Sequence, residues 1–277
     1  MDRSFAPAKV NLALHVTGRG PDGYHRLDSL VAFAGVGDQR SATLARERSL
    51  TVGGPFARGV PLGEENLVLR AARALQKARG VEKGAAIRLT KALPHAAGIG
   101  SGSSDAAAAI RLLASLWGVE PLAPSDPEAL ALGSDVPVCL HAPAPVRMRG
   151  RGELIEPAPR LPACGLVLVN PGVHLPTRDV FDRLARRDGG PLPPLPESAT
   201  PEALAAWLTE ARNDLQAPAE ALAPPVAEAL ARLRRTPGVL AAVMSGSGAT
   251  CVGITRDVGV ARRAARTVQV GAQSWWV

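Results

Sequence analysis

The sequence predicts an α+β protein built from two domains. Over 277 residues, segments with strand patterns and segments with helical patterns follow one another in irregular order, which is typical of the α+β class. A chain of this length suits one large domain or two of ordinary size. Its composition changes within 143–162, which is rich in Pro, Gly and Arg. We therefore place a soft boundary there and predict domains at 1–150 and 151–277.

The first half of the chain combines both kinds of pattern. Alternation of apolar and polar residues, or a short apolar run, predicts strands at 8–16, 27–33, 85–89 and 136–140. Apolar residues with helical spacing predict helices at 64–79, 105–117 and 127–132. Gly80 and Gly118 are placed to end the first two helices. A tight turn at 133–135 leads into the apolar strand predicted at 136–140.

The second half contains further strands and helices. Strands are predicted at 166–170, 239–244 and 250–254, with a last strand after a basic helix at 258–267. Helices are predicted at 177–187 and 201–211, the second with Thr200 as its N-cap and Pro201 at its first position. Pro224 and Pro225 divide the helical pattern 219–235 into two pieces. The stretch 189–196 is a Pro-rich surface loop.

Composition excludes several classes of function. The formal net charge is +7, but aromatic residues make up only 3% of the chain and the basic residues are spread along helices, which argues against nucleic-acid binding as the main role. No segment approaches the roughly 20 apolar residues that cross a bilayer, and the N-terminal pattern is that of a strand rather than a secretion signal. Three distant cysteines suit neither a disulfide framework nor a metal site. We expect a cytoplasmic protein.

A Gly/Ser loop before the helix at 105–117 carries the chemistry. Gly98, Gly100 and Gly102 alternate there, so backbone N–H groups can approach an anion, and the helix N-terminus adds its positive dipole. Triphosphate is the natural ligand, although a capped loop without a ligand remains the alternative. The chain has no Gly-Lys pair, which excludes a P-loop, and Ser103 stands where a dinucleotide fingerprint needs glycine, which argues against a Rossmann site at this loop.

Several ordered motifs resemble those of the GHMP kinase superfamily. The segments 7–12 (PAKVNL), 94–109 (PHAAGIGSGSSDAAAA) and 244–250 (MSGSGAT) resemble its three motifs. Within the superfamily, 20–25, 65–68, 133–138 and 212–215 resemble a branch that phosphorylates a cytidine diphosphate-linked polyol. The resemblance implies a two-domain fold with the active site in the cleft between the domains. It also implies an ATP-dependent kinase that acts in the non-mevalonate route to isoprenoid precursors.

The resemblance also assigns the catalytic and ATP-binding residues. Asp135 matches the catalytic base, and Lys9 matches a lysine that orients Asp135 and steadies the phosphoryl group; ATP would arrive with Mg²⁺, for which no direct protein ligand is assigned. Asn66 and Lys91 match positions near the adenine, although Asn66 could equally cap a helix. ATP contacts are expected from the loop residues Pro94, His95, Ala96, Ala97, Gly98, Ile99, Gly100, Ser101, Gly102, Ser103 and Ser104.

The substrate residues follow in the same way. Tyr24 and His25 match a pair that contacts the cytidine, and Phe181 matches a residue that stacks on the base. Phe181 could equally be an ordinary helix-core residue. Asn11 and Thr177 complete the expected substrate contacts. The alternatives to this function are another GHMP-type kinase of a small alcohol, or a protein that binds an anion without catalysis. We expect a monomer or a homodimer with no nucleic-acid or membrane partner.

Overall fold

A computed structural model describes residues 2–95, 97–185 and 188–277, which form two compact units, each discontinuous in sequence. The first contains the described residues of Met1–Lys9, Phe33–His95 and Gly100–Pro143, and the second those of Val10–Ala32, Ala96–Ile99 and Ala144–Val277. The elements in chain order are β1 (Asp2–Arg19), β2 (His25–Ala45), β3 (Ser49–Gly53), α1 (Leu67–Arg79), β4 (Gly84–Thr90), α2 (Ser101–Trp117), α3 (Pro127–Leu130), α4 (Asp135–Leu140), β5 (Val146–Gly150), β6 (Leu154–Pro157), β7 (Gly165–Val169), α5 (Thr177–Asp182), α6 (Pro201–Glu210), α7 (Gln216–Leu222), α8 (Pro224–Arg235), β8 (Val239–Met244), β9 (Cys251–Thr255) and α9 (Val258–Val270).

The first unit packs helices against a small sheet. The second part of β2 pairs antiparallel with β4, and β3 pairs parallel with the other edge of β4. Helix α2 packs against α1 and α4, and its alanines from Ala106 to Ala109 are fully buried. Because alanine side chains are short, the other helices can approach α2 closely. The helix that follows the Gly/Ser loop is therefore held firmly in the core of this unit.

The second unit contains two sheets. The first part of β2 pairs antiparallel with β5, which in turn pairs with β6. A separate antiparallel sheet has the order β7-β9-β8, and α8 and α9 pack on it. The core of this unit joins residues from that sheet and its helices with Leu14 and Val16 of β1. The turn between β8 and β9 contains the predicted third motif.

Most predicted elements are confirmed, and so is the α+β class. Thr200 caps α6 by accepting a hydrogen bond from the Ala203 amide at 3.2 Å. The helix predicted at 219–235 is divided at the proline pair, because α7 ends at Leu222 and α8 begins at Pro224. Gly80 and Gly118 end α1 and α2 in the left-handed conformation that glycine favours.

Some predictions were wrong. The strand predicted at 136–140 is the helix α4, since a short apolar run buried on all sides fits either element and proline is tolerated in a first helical turn. The last predicted strand forms only one isolated bridge, between Asn170 and Trp276. The stretch 143–162, in which we placed the domain boundary, contains β5 and β6, and the boundary itself stays a prediction.

One predicted helix is shorter in the structure. The helix predicted at 177–187 ends at Asp182 in the structure, and residues 186 and 187 of that prediction lie outside the described residues. Across the described part of the chain, no helix combines the length and the apolar character needed to cross a membrane.

Candidate active site

The N-terminus of α2 presents backbone amides that suit an anion. Gly100 is the N-cap, with a φ of 56°, and within the described residues no side chain caps the helix. The first amides of an uncapped helix lack intrahelical partners and carry the positive end of the dipole. Gly102 is exposed and Ser103 is half-buried. The amides of this first turn are therefore available for phosphate oxygens.

Two serines of the loop shape it from within. The Ser104 hydroxyl donates to the Pro7 carbonyl at 2.7 Å, and the Ser101 hydroxyl donates to the Pro94 carbonyl at 3.3 Å. Both serines are buried. Their hydroxyl protons are thus used to fix the loop, which leaves Ser103 as the loop serine whose side chain is best placed for a ligand. His95 is exposed and makes a 2.5 Å contact from Nε2 to the Phe56 carbonyl.

Lys9 joins the helix start to the predicted base. Its Nζ lies 2.9 Å from Oδ1 of Asp135. Its Cε would lie 3.1 Å from a Cβ placed on Gly100, so glycine gives the lysine side chain room to pass over the helix start. The Lys9 side chain is 6% exposed, whereas that of Asp135 is 34% exposed. The first unit therefore brings a cation, a solvent-accessible carboxylate and the free amides of α2 together.

Asp135 is held by the short helix α4. It lies in the first turn, where a negative charge is favoured by the helix dipole. Val136, Val138 and Cys139 anchor the helix because each is fully buried. At the other end, Arg111 of α2 donates from Nη1 to the carbonyls of Cys139 and Leu140 at 3.2 and 3.4 Å. The carboxylate is thus fixed relative to α2.

The described middle of the loop, 97–99, is fixed by the turn between β8 and β9 in the second unit. The Thr250 amide donates to the Ala97 carbonyl at 3.1 Å, and the Ser245 hydroxyl donates to the Gly98 carbonyl at 2.8 Å. A Cβ on Gly98 would lie 2.5 Å from the carbonyl oxygens of both Gly248 and Ser245. Only glycine fits, so Gly98 and the third motif pack closely within the second unit. Ala96 lies outside the described residues.

The same turn meets two predicted substrate residues. The Asn11 amide donates to the Ser245 hydroxyl at 3.0 Å, and the Asn11 side chain donates to the Ser29 hydroxyl at 2.8 Å. Thr177 and Ser247 share a hydrogen bond between their hydroxyls at 2.9 Å. Asn11 is 2% exposed, which suits a residue that shapes the turn, and its contact with the substrate stays a prediction. Thr177 is exposed.

The predicted aromatic residues lie together in the second unit. The rings of His25 and Phe181 are stacked, with centroids 5.0 Å apart and planes inclined by 25°. Tyr24 is 57% exposed and carries the guanidinium of Arg151 4.1 Å from its ring centroid. Because His25 and Phe181 are in contact, no third ring fits between them in this arrangement. Phe181 also packs against the core of the unit, which supports its role as a core residue, whereas its stacking on the base stays a prediction.

Comparison with known proteins decides the family. The model of the GHMP kinase N-terminal domain matches residues 66–142, and that of the GHMP kinase C-terminal domain matches residues 197–270. This chain belongs to the GHMP kinases. A 4-diphosphocytidyl-2-C-methyl-D-erythritol kinase of Cereibacter sphaeroides (strain ATCC 17025 / ATH 2.4.3) is 53% identical over 279 residues, which span 100% of this chain and 98% of the relative. The enzyme of that name from Paramagnetospirillum magneticum (strain ATCC 700264 / AMB-1) is 52% identical, over 98% of this chain and 95% of its own.

Solved structures agree with this membership. A crystal structure of 4-(cytidine 5'-diphospho)-2C-methyl-D-erythritol kinase shares 34% identity and superposes with a TM-score of 0.80, over 99% of this chain and 97% of its own. Mevalonate kinase of L. major, at 13% identity, has a TM-score of 0.68 over 100% and 94% of the two chains, which shows the shared fold. A GHMP kinase of this kind is an ATP-dependent phosphotransferase.

The two residues expected near the adenine, Asn66 and Lys91, both make hydrogen bonds that stabilise the fold of this GHMP kinase. Asn66 caps α1, since its Oδ1 accepts from the Val68 amide at 2.8 Å while its Nδ2 donates to the Pro61 carbonyl at 2.6 Å. The capping alternative is therefore confirmed. Lys91 is 2% exposed and its ammonium donates to the carboxylates of Asp38 and Asp105. Its contact with adenine remains a prediction.

Sequence reasoning missed several residues that build the site. Asp38 pairs with Lys91, and Arg40 pairs with Asp105. The sequence indicates such partners only indirectly, because Asp38 and Arg40 are two charged residues on one face of a strand, where burial requires a partner. Arg111 gave no signal, because it looks like a solvated residue of a helix. Asn213 supports the turn after β8 by donating to the carbonyls of Met244 and Gly246. It lies in a motif to which no chemistry was assigned.

Proposed function

We propose that this kinase transfers the γ-phosphoryl group of ATP to the 2-hydroxyl of 4-diphosphocytidyl-2-C-methyl-D-erythritol, a step of the non-mevalonate pathway to isoprenoid precursors. Relatives about half identical over nearly their whole length are named for this substrate. The observation that carries the proposal is the Lys9–Asp135 pair beside the N-terminus of α2. That arrangement provides what phosphoryl transfer to an alcohol needs, which is a proton acceptor, a cation and a phosphate cradle.

Each of these groups has a distinct part in the reaction. The substrate hydroxyl would lose its proton to the Asp135 carboxylate as its oxygen attacks the γ-phosphorus, and the bond to the β-phosphate oxygen would break, leaving its electron pair on ADP. Lys9 would orient the carboxylate and offset the charge on the phosphoryl oxygens. The α2 amides would hold the remaining phosphates.

Mg²⁺ would accompany ATP in this reaction. The ion prefers hard oxygen ligands and is usually held by one or two carboxylates together with substrate phosphates. When bound, the ion would neutralise charge on the transferring phosphoryl group. No direct protein ligand of Mg²⁺ is proposed.

The aromatic residues are proposed to bind the cytosine. Tyr24 would stack on the cytosine with the ring face that Arg151 does not cover. In the stacked His25–Phe181 pair, one of the two rings would stack on the cytosine with the face that points away from the other ring. Asn11 and Thr177 are proposed to bind the same substrate through the turn that they meet. The phosphate contacts of Pro94–Ser104 and the adenine contact of Asn66 complete the proposed site. An N-terminal ATP-binding domain at 1–150, a C-terminal domain at 151–277 and a cytoplasmic location belong to the same proposal.

A coupled assay of ADP release tests the function. With saturating Mg-ATP, we expect turnover with the cytidyl substrate. We expect at least 100-fold lower kcat/KM with mevalonate, homoserine or galactose, since each of these alcohols lacks the cytosine. Phosphorus NMR of the product should show a new phosphomonoester. Turnover with another of these alcohols, and none with the cytidyl substrate, would establish the alternative of a different GHMP-type kinase. ATP binding without turnover of any alcohol would establish the anion-binding alternative.

A further inference from the structure

Four charged side chains form a buried cluster in the first unit, namely Asp38, Arg40, Lys91 and Asp105, each at most 3% exposed. The Lys91 ammonium donates to Asp38 Oδ2 and, at 2.8 Å, to Asp105 Oδ2. Arg40 donates from Nη2 to the other oxygen of Asp105 at 2.5 Å. Two cations thus balance two anions in a place from which water is excluded.

Burying such a cluster adds little to the stability of a fold, because the desolvation of its charges costs free energy. Burial raises the pKa of Asp105, against the opposing effect of Arg40 and Lys91, and burial lowers the pKa of Arg40. Desolvation of buried charges often cancels their mutual attraction, so apolar residues of similar volume would serve stability as well. What charged groups supply in addition is directional hydrogen bonding that fixes one arrangement of the backbone.

The backbone that this cluster fixes is at the two ends of the phosphate loop. Asp38 Oδ1 accepts hydrogen bonds from the amides of Ala92 and Leu93 at 2.6 and 2.9 Å, and these residues directly precede Pro94. Asp105 directly follows Ser104 and lies near the start of α2. Lys91 bridges the two carboxylates, so it links the entry of the loop to its exit.

We propose that Asp38, Lys91 and Asp105 are positioning residues that hold the two ends of the loop 94–104 together and thereby aim the first amides of α2 at the phosphates of the nucleotide. They act through the loop without touching ATP. The inference rests on the proposed ATP site. It gives Lys91 a role other than contact with adenine, and it adds two acidic residues to which no function had been assigned.

Paired substitutions can break the bridge while the cluster stays neutral. The variant with Asp38→Asn and Lys91→Met removes one charge of each sign, keeps an acceptor for the Ala92 and Leu93 amides, and leaves the Arg40–Asp105 pair in place. The matched control, Arg79→Met with Asp126→Asn, removes another ion pair of the first unit, 3.1 Å long. Asp38→Asn alone is the milder variant if the double variant does not fold.

Hydrogen–deuterium exchange without nucleotide tests the positioning directly. We expect the amides of 104–108, which donate the first hydrogen bonds of α2 at the exit of the loop, to exchange about tenfold faster in the double variant, which corresponds to roughly 1.4 kcal/mol, while the rest of the unit and the control variant match wild type. Asp38→Asn alone should give a smaller change in the same direction. Unchanged exchange of these amides in the folded variants, or faster exchange throughout the unit, would overturn the proposal.

Nucleotide affinity gives the second readout. The dissociation constants of ATP and GTP should both rise about tenfold in the double variant, and KM for the cytidyl substrate should change less than twofold. A loss confined to ATP would instead show that Lys91 reads the adenine, and an equal rise in both substrates' KM would show a merely structural cluster. If wild-type protein does not bind ATP, the proposed function fails, whereas the exchange experiment still decides whether the cluster orders the loop.

Discussion

Lys9 Nζ lies 2.9 Å from Asp135 Oδ1, and the same side chain crosses Gly100 at the start of α2. One buried lysine therefore contacts both the proposed base and the proposed phosphate cradle. The two functions of the site, deprotonating an alcohol and holding a phosphoryl group, are coupled through it. Substitutions at Asp135 and at Gly100, the two residues that Lys9 contacts, should separate these two functions.

Asp135→Asn should reduce kcat by about 10³-fold, within the range of general-base contributions. The amide keeps the size of the carboxylate but cannot accept the proton, so ATP should bind with a dissociation constant within threefold of wild type. Steady-state kinetics and calorimetric ATP titration measure the two effects. Glu120→Gln, at an exposed position, is the control. Near-normal turnover of Asp135→Asn would exclude the base role.

Gly100→Ala should lower kcat through a clash with Lys9. Its φ of 56° is costly for alanine, and the new methyl group would meet the lysine Cε at 3.1 Å; a displacement of the lysine by 1 Å can cost about 100-fold in rate. Gly80→Ala is a matched control, because its φ is 64° and a Cβ there meets open space in the described part of the chain. Both variants should lose about 1 kcal/mol of stability from the backbone. Equal kinetics for the two would contradict the packing of Lys9 on Gly100.

Phe181→Ala should raise KM for the cytidyl substrate about fivefold while KM for ATP changes less than twofold, since one aromatic stacking contact is worth about 1 kcal/mol. Initial rates with each substrate varied in turn give both constants. Leu222→Ala truncates another half-buried residue packed on the same core and should affect stability alone. Equal increases in both KM values for Phe181→Ala would indicate a core role.

Asp28→Asn should destabilise the protein at neutral pH by roughly 2 kcal/mol, since hydrogen bonds to a charged group contribute about 1.5–3 kcal/mol and the Arg147 partner is partly exposed. Burial alone would raise the pKa of Asp28, but hydrogen bonds from Arg147 and from the Leu192 amide leave the pKa lowered. A lowered folded-state pKa gives stability above the unfolded value of about 3.9, and this stability is lost as pH falls through the folded pKa.

Urea unfolding of wild type and of the Asp28→Asn variant between pH 7 and pH 3 measures this effect. The difference between the two proteins should shrink steadily below about pH 4, where the Asp28 carboxylate of the unfolded wild-type chain begins to bind a proton, and further as pH falls toward the lower pKa of the folded state. Asp182→Asn removes an exposed ion pair with Arg178 and should change stability by less than about 1 kcal/mol at any pH. A difference that is independent of pH would contradict the ionic origin.

Local sequence signals predicted much of the fold. Gly118 ended a helix and Pro224 began one where backbone chemistry required it, because these signals act within a few residues. Strand β5 escaped notice because Arg147 and Arg149 break its apolar pattern, and only the distant Asp28 explains a half-buried arginine there. Helix α4 was mistaken for a strand because burial on all sides removes the periodicity that separates the two.

The candidate site was predictable to a different extent. The Gly/Ser loop could be interpreted from its own residues, since glycines before a helix have a known physical use. The Lys9–Asp135 contact joins residues far apart in sequence, and only family resemblance suggested it. Neither a local pattern nor the family resemblance predicted the buried bridge from Asp38 through Lys91 to Asp105. No local pattern shows which distant charges neutralise one another.

The interleaving of the two units sets the order in which a newly made chain can fold. All residues of the first unit have been synthesised once Pro143 is reached, whereas Val10–Ala32 belong to the second unit and must wait for the C-terminal half. Leu14 and Val16 enter a core whose other buried members begin only at Val167. During translation these apolar strand residues remain without that core, as surface on which chains aggregate or chaperones bind. Cellular yield of the enzyme should therefore depend on how quickly the ribosome completes the second half.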